Sequence, residues 1–405
     1  MTDITARPDE LAQDFDPLRP EFRRDRAPVF AELLGSAPRW STAMGGMWVI
    51  SRHPDVIEAA NNPRVFCSSQ GTNLPPNGFP YRFPPGEVDP PDHQVYRQLS
   101  APFFSPSATA KLETTIRTVA RSCIDRFASR GSADLAKELA SQVPPYVIAD
   151  MMGFPTEDAS LIGELSDRLL STSGQPELAA ENQQAGADFV AYLNTHLERR
   201  KQHPSDDLLT TLVQSRFRDR PLTAEELFGL SFFLLIAGHE TTVGAIGFML
   251  LHLGRHPDQM QRLRADRSLV AGAVEEALRM DSPVSWMGRT VAEDTEFRGV
   301  KMRKGDKVML LWAAANLDES AFDDPKSFRI DRPGNRHTSF GWGPHRCQGS
   351  SLGRLEMRVV LEEVLDSIPD YVVDEDGVEI QDFAATHSLK SLPVTFTPRR
   401  ARPSE

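Results

Sequence analysis

From residue 223 to about 253 the chain is apolar on most faces of a helical wheel. Leu230, Leu234, Leu235, Ile246 and Leu250 recur through it, and Thr223 with Glu226 three residues on makes a capping box at its start. A helix without a solvent face must be surrounded, so the segment predicts a central, buried helix with the rest of the fold built around it. Its middle breaks the pattern: Ala237-Gly238-His239-Glu240-Thr241-Thr242. A buried carboxylate costs several kcal/mol unless paired or hydrated. Glycine in mid-helix costs about 1 kcal/mol against alanine. The Thr241 hydroxyl is placed to bond the carbonyl four residues earlier. Three local penalties in one turn mark a place where something docks on the backbone. An acid beside an alcohol is what proton delivery to a bound oxygen requires. His239-Glu240 begins a zinc-protease pattern, but that needs a second His at 243, where Val stands. His252 and His256 have chelating i,i+4 spacing; their place near the helix end favours interaction with its dipole instead.

The second constraint is Phe340-Gly341-Trp342-Gly343-Pro344-His345-Arg346-Cys347-Gln348-Gly349. Three glycines and a proline make a tight turn that side chains would obstruct, and a helix follows through Ser367. A sulfur at a helix N-terminus beside His345 and Arg346 sits in positive potential, so thiolate is expected over thiol. Cys347 is then a nucleophile or a soft metal ligand. A cysteine protease would pair it with a distant His. A zinc site would want a second Cys two to four residues away, and there is none. Cys67 and Cys123 read as buried structural thiols. Three sparse cysteines form no disulfide framework, so a reducing cytoplasm is expected.

The 405 residues suffice for a large core. The net charge of −12 argues against nucleic acid or an anionic membrane as partner. The polar start, with Asp3, Arg7, Asp9 and Glu10, gives no expectation of a signal peptide. No unbroken apolar run reaches the ~18–20 residues of a membrane anchor; Phe232 to Ala237 comes nearest. Residues 1–30 read as a loosely held arm with a short helix. Residues 68–91 hold seven prolines (75, 76, 80, 84, 85, 90 and 91) with Phe79, Tyr81 and Phe83, a loop by composition. Such a loop is a lid or binding loop, or a solvated connector. Helical spacing runs from Asp92 to Arg200, although residues 171–185 are Ser/Gly/Gln-rich and look mobile. A helix covers about 267–280, small hairpins Thr290 to Leu311, and strands most of Val372 to Thr397. The fold class is mainly α: one helix-rich domain with small β-sheets, spanning 1–405.

Together these features resemble the cytochrome P-450 family of soluble bacterial type. Phe340-Gly-x-Gly-x-His-x-Cys347-x-Gly349 is similar to its haem loop at every fixed position, and Ala237-Gly238-x-Glu240-Thr241-Thr242 to its oxygen-activation motif. Glu276-x-x-Arg279, in isolation an ordinary i,i+3 pair, takes meaning from its order with the other two. The resemblance implies the P-450 fold, haem b, and Cys347 as axial thiolate, a ligand that favours O–O cleavage. It implies propionate contacts from His93 and Arg97 in Asp-Pro-Pro-x-His-x-x-x-Arg, from Arg289 in Gly-Arg-Thr, and from His345. Ala237 would border the haem, with 223–253 the oxygen-binding helix, 340–349 the haem-thiolate loop and 68–91 the substrate-access loop. Glu276 and Arg279 would brace the meander behind the cysteine loop. The family often has Arg in Pro-x-Arg-Phe; here Pro325-Lys326-Ser327-Phe328 stands, and Arg332 is the candidate replacement. Gly353 occupies a position where Ala is common.

The implied reaction is insertion of one oxygen atom of O2 into a C–H bond, by hydroxylation or oxidative demethylation, with Glu240 and Thr241 relaying protons. With no cysteine cluster or extra length for a redox domain, electrons would come from ferredoxin and ferredoxin reductase, docking near Arg346, Arg354 and Arg358. Pocket walls are expected from Phe79, Tyr81, Phe83, Ala237, Val284, Trp286, Met287 and Leu389, which suits an apolar small molecule. A non-enzymatic haem sensor and a peroxide-driven peroxygenase are the alternatives.

Overall fold

The computed structural model describes residues 14–19, 22, 26–36, 38–76, 81–172 and 175–399. Its helices are α1 (Ala27–Leu34), α2 (His53–Ala60), α3 (Asp92–Ser100), α4 (Pro106–Thr109), α5 (Glu113–Phe127), α6 (Val143–Met152) and α7 (Ala159–Ser171). They continue with α8 (Ala179–Gln202), α9 (Leu208–Gln214), α10 (Ala224–Arg255), α11 (Pro257–Ala265), α12 (Val270–Met280), α13 (Trp312–Ala315) and α14 (Ser350–Ser367).

α10 starts at the capping box: the Thr223 hydroxyl accepts the Glu226 N–H, and the Glu226 carboxylate accepts the Thr223 N–H at 2.8 Å. It then runs 32 residues, packed on α6, α12, α14 and a C-terminal hairpin. Leu230, Leu235, Ile246 and Leu250 are wholly buried, each contributing about 1.5–3 kcal/mol of apolar burial. By length and hydropathy α10 would pass for a membrane span, although no unbroken apolar run predicted one. Instead 72% of its most apolar window is buried inside the fold. Gly238 has a packing reason. A Cβ there would lie 2.6 Å from Ile148 Cδ1, so the glycine admits α6, where the sequence reading expected a docked group.

A five-stranded sheet lies beside the helices. It uses β1 (Arg39–Ser41), β2 (Met47–Ile50), β3 (Phe66–Cys67), β4 (Met287–Val291) and β5 (Lys307–Leu310) in the order β1-β2-β5-β4-β3. Only β2 and β5 run parallel. The hairpin of β6 (Glu379–Phe383) and β7 (Thr386–Ser391) lays β7 against α10. An isolated bridge joins Val284 to Thr386.

Two loop expectations are corrected. The described part of the N-terminal arm is anchored: Phe15 and Phe22 are buried edge to face, and the Asp14 carboxylate accepts the Thr42 N–H and hydroxyl, both at 2.7 Å. Polar composition hid two aromatic anchors. Beyond Gln175, the supposedly mobile stretch is helical, because Ala185 and Phe189 bury one face of α8.

Candidate active site

The cysteine loop is fixed by its backbone. Gly341 and Gly343 take φ of 64° and 70°, and a Cβ on Gly343 would lie 2.3 Å from the Ala60 carbonyl, so both positions demand glycine. The Cys347 N–H donates to the Phe340 carbonyl at 2.7 Å. Gln348 Nε2 donates to Arg97 O and Ser100 Oγ, both at 3.2 Å, tying the loop to α3. Cys347 is exposed to a water-sized probe while Cys67 and Cys123 are buried. Burial nonetheless pushes its thiol up; the Gly349 N–H and the Arg97, Arg354 and Arg346 charges offset this only partly. This corrects the expected thiolate preference: in the protein without a bound metal, desolvation outweighs the nearby cations.

Four bases gather beside the cysteine loop: His345 feels Arg289, His93 and Arg97, its ring lies 4.3 Å from that of His93, and Arg97 in turn feels Cys347. His93 and Arg97 come from α3, Arg289 from β4 and His345 from the loop. Burial holds His93 down to about 4 and His345 down to about 2, and it lowers Arg289 to about 10. Arg97 is also lowered, by burial first. Both ring nitrogens of His93 and Nε2 of His345 are buried without a hydrogen-bond partner. Arg289 Nη1 reaches only the neighbouring Gly288 carbonyl, at 2.7 Å. Among the described residues none of the four pairs with a carboxylate. Two arginines without a carboxylate partner, set beside neutral imidazoles whose ring nitrogens lack hydrogen bonds, suit an anionic ligand that accepts from all of them, as haem propionates would. The residues therefore fit haem.

On α10, Thr241 Oγ1 donates to the Ala237 carbonyl at 3.2 Å. Ala237 is exposed and Thr241 partly so on an otherwise buried helix, so an i,i+4 pair lines accessible interior surface. Glu240 is buried, with Oε1 3.0 Å from His239 Nε2. His252 Nε2 meets Asp281 Oδ2 at 2.6 Å, and His256 Nδ1 lies 2.8 Å from the His252 carbonyl. The histidine pair thus serves the helix end, and the described residues contain no metal-holding cluster.

Glu276 and Arg279 are a fully buried bidentate pair, at 2.9 and 2.8 Å. Arg279 also donates to the carbonyls of Asn316, Pro325 and Ser327. Arg332 Nε reaches both Glu276 oxygens at 3.0 Å and its Nη2 the Ser327 carbonyl at 2.7 Å. Asn335 Nδ2 and the Arg329 N–H complete the shell. Arg332 therefore occupies the role left open at Ser327, and the pair is nothing like a surface contact.

The predicted apolar wall divides. Tyr81 packs on Phe228 and Phe83 stacks on Phe232, ring centroids 5.0 and 5.1 Å apart, so the proline-rich loop lies on α10. Val284 and Met287 are half-buried. Leu389 is buried, facing Gly247 on α10. Trp286 points the other way: it is 1% exposed in a separate core with Phe30 and Met309, its indole N–H toward the Leu74 carbonyl. Adjacent residues of an extended segment face opposite sides, so Trp286 and Met287 cannot share a wall. Phe79 lies outside the described residues. Two acids escaped notice: Asp167 on α7, pushed up to about 6, and Glu356 on α14, buried with neither oxygen hydrogen-bonded. Each shares its helix with at least one other carboxylate, and only the tertiary structure singles it out.

The family model Cytochrome P450 matches residues 177–368. A steroid C26-monooxygenase of Mycolicibacterium smegmatis is 34% identical over 87% of this chain and 88% of its own. A methyl-branched lipid omega-hydroxylase of Mycobacterium tuberculosis is 35% identical over 91% and 90%. Among solved structures, P450BioI in complex with hexadec-9Z-enoic acid ligated acyl carrier protein superposes with a TM-score of 0.86 at 29% identity, covering 93% of this chain and all of that one. CYP109Q5 from Chondromyces apiculatus gives 0.86 at 31%, covering 96% and all of that chain. Identity of this order, sustained over most of both chains and joined to a shared fold, makes the chain a member of the cytochrome P450 family, a haem-dependent monooxygenase that uses O2 and an electron-transfer partner.

Proposed function

We propose that the protein hydroxylates a lipid-like hydrocarbon, R–H + O2 + 2 e⁻ + 2 H⁺ → R–OH + H2O, with electrons passed from NAD(P)H through a ferredoxin reductase and a ferredoxin in the cytoplasm. The observation that carries this reading is the accessible Cys347 sulfur close to Arg97, with His93, Arg289 and His345 grouped next to it and, among the described residues, no carboxylate paired with any of the four. Cys347 would hold the iron of haem b through its sulfur and the four bases would hold its propionates; the group would supply the oxygen-activating iron. The protein's own side chains do the rest. Ala237 and Thr241 present a small side chain and a hydroxyl on one accessible stripe, and Glu240 stands beside them to hand a proton to Thr241. Glu276, Arg279 and Arg332 keep the meander, and so the cysteine loop, in place.

The substrate class rests on two relatives, named for steroid C26 and for the omega position of methyl-branched lipids, and on the apolar character of Tyr81, Phe83, Val284, Met287 and Leu389. The electron donor's docking face is a recess of about 560 Å³ lined by Asn61, Arg336, Trp342, Gly343, Arg346 and Arg354. Arg336 and Arg346 are exposed there. Arg354 is held by Glu275 at 2.6 and 2.8 Å, and Arg358 by Glu113 and Glu362 at 2.6 and 2.9 Å. The docking face is therefore narrowed to Arg346 and Arg336, which favour an acidic ferredoxin.

The test is a Soret spin-state screen of steroids, branched lipids and fatty acids against the haem-loaded protein, followed by NADH and product stoichiometry with a ferredoxin system. Binding of long apolar chains with matched NADH use and alcohol formation supports the reading. Spin-state responses confined to small polar compounds, or no turnover with any reductant, would overturn it.

A further inference from the structure

Strand β7 crosses α10 beside the Thr241 stripe. A Cβ at Gly244 would lie 2.5 Å from the His387 carbonyl, and one at Gly247 would lie 3.5 Å from Leu389 Cδ1, so the strand lies on a bed that side chains would fill. His387 and Leu389 are alternate residues of one strand, and both meet α10. Gly244 comes three positions after Thr241, which puts the crossing within one helical turn of the hydroxyl.

A charged cluster holds the strand there. Asp281 caps the end of α12 and its carboxylate faces two imidazoles. His252 Nε2 lies 2.6 Å from Oδ2, and His387 Nε2 lies 3.1 Å from Oδ1. A carboxylate only accepts, so both Nε2 atoms carry hydrogens. Burial pushes the Asp281 carboxyl up, but the hydrogen bonds from His252 and His387 outweigh it and hold the group well below the usual carboxylate range. Each ring is also stacked on a phenylalanine: His387 on Phe248 with centroids 4.2 Å apart, His252 on Phe328 at 5.0 Å. Gly244, Phe248 and His252 recur every four residues. One face of α10 therefore carries the bed, the stacking partner and one arm of the cluster.

The same cluster ties in the chain that follows α12. The His387 N–H donates to the Pro283 carbonyl at 2.8 Å, the Ser285 N–H donates to the Ala385 carbonyl at 2.7 Å, and Val284 bridges Thr386. The segments that present Val284 and Leu389 thus move as one unit, rooted on Asp281.

We propose that His252, Asp281 and His387 are positioning residues for substrate: they fix the distance between the C-terminal hairpin and the Thr241 stripe, and so set the bulk that the site accepts. They act through Val284 and Leu389, and the role rests on those two side chains lining the pocket beside the haem. A wall held before binding loses little freedom when a bulky ligand packs on it, whereas a released wall must be ordered by the ligand.

The experiment compares imidazole with 4-phenylimidazole as iron ligands of the haem-loaded protein, in the parent and in Asp281→Asn, His252→Phe, His387→Phe and His387→Gln. Phenylalanine keeps a flat ring for stacking and loses the hydrogen bond. Glutamine gives up the ring and keeps an N–H at the same reach. Soret titration reads the two dissociation constants, and hydrogen exchange reads the amides of Thr386–Ser391 in the haem-free protein. In Asp281→Asn and both phenylalanine variants, 4-phenylimidazole should bind about fivefold more weakly with imidazole unchanged. The hairpin amides should exchange about tenfold faster. His387→Gln should restore most of both losses. The phenylalanine variants carry the test should Asp281→Asn fail to fold, as judged by the carbonyl difference spectrum. An unmoved ratio of the two dissociation constants, equal weakening of both ligands, or hairpin exchange at the parent's rate overturns the positioning role. A parent whose Soret band ignores imidazole would instead overturn the haem site on which the role rests.

Discussion

The imidazole rings of His93 and His345 stand 4.3 Å apart, centroid to centroid, and three of their four nitrogens are buried with no hydrogen-bond partner. An unsatisfied buried donor costs about 1–3 kcal/mol, and replacing it by an apolar ring of similar shape is close to neutral or favourable. His93→Phe should therefore leave the haem-free protein as stable as the parent or more so, while weakening haem retention. The lost contact to a propionate is worth about 1.5–3 kcal/mol, so haem transfer to apomyoglobin should speed up by about tenfold or more. Unchanged transfer would remove His93 from the haem-holding set.

The Glu276 network predicts a sharp stability loss. Arg279→Ala takes one of two cations from a fully buried carboxylate and removes a donor from the carbonyls of Asn316, Pro325 and Ser327, at about 3–5 kcal/mol, readable as a lower denaturation midpoint and a poor yield of haem-loaded protein. Arg332→Lys keeps the charge but loses the fork that spans both Glu276 oxygens and the Ser327 carbonyl, at about 1–2 kcal/mol. Parent-like midpoints in both variants would contradict the bracing role.

Glu356 predicts a pH dependence. Burial alone raises its carboxyl well above 4.5, and neither oxygen has a partner. The folded protein therefore keeps a proton that the unfolded chain releases above 4.5, so stability falls as pH rises from there toward the raised folded value. Glu356→Gln removes that slope while keeping the shape. Urea unfolding at pH 5 and pH 8 should show the variant gaining on the parent at pH 8; equal slopes would contradict a neutral buried carboxyl.

What the sequence made legible was whatever leaves a local signature. The Gly/Pro frame of Cys347 and the apolar length of α10 are patterns within one segment, and both landed where expected. What escaped depends on long-range pairing. Arg354 looked free because Glu275, its partner, lies 79 positions away. Trp286 and Met287 are neighbours in sequence, and only the direction of the segment entering β4 assigns them to two different hydrophobic clusters. The thiol of Cys347 looked activated because nearby cations are readable in sequence while desolvation is not. Asp167 becomes notable only once α7 is laid beside α10.

Electron delivery supplies a further check. With Arg354 and Arg358 held by carboxylates, Arg346→Glu should slow ferredoxin-driven reduction about tenfold at low salt, and the difference should shrink as salt rises. Stopped-flow reduction measures it. A rate indifferent to Arg346 would move the docking face elsewhere.

The central claim is the bond between Cys347 and haem iron. It is tested most directly by the reduced carbonyl difference spectrum of the hemin-loaded protein and of Cys347→Ser. The parent is expected to give the red-shifted Soret band of thiolate ligation and the serine variant to lack it. A parent that binds no hemin, or a serine variant that keeps the thiolate band, would contradict the account.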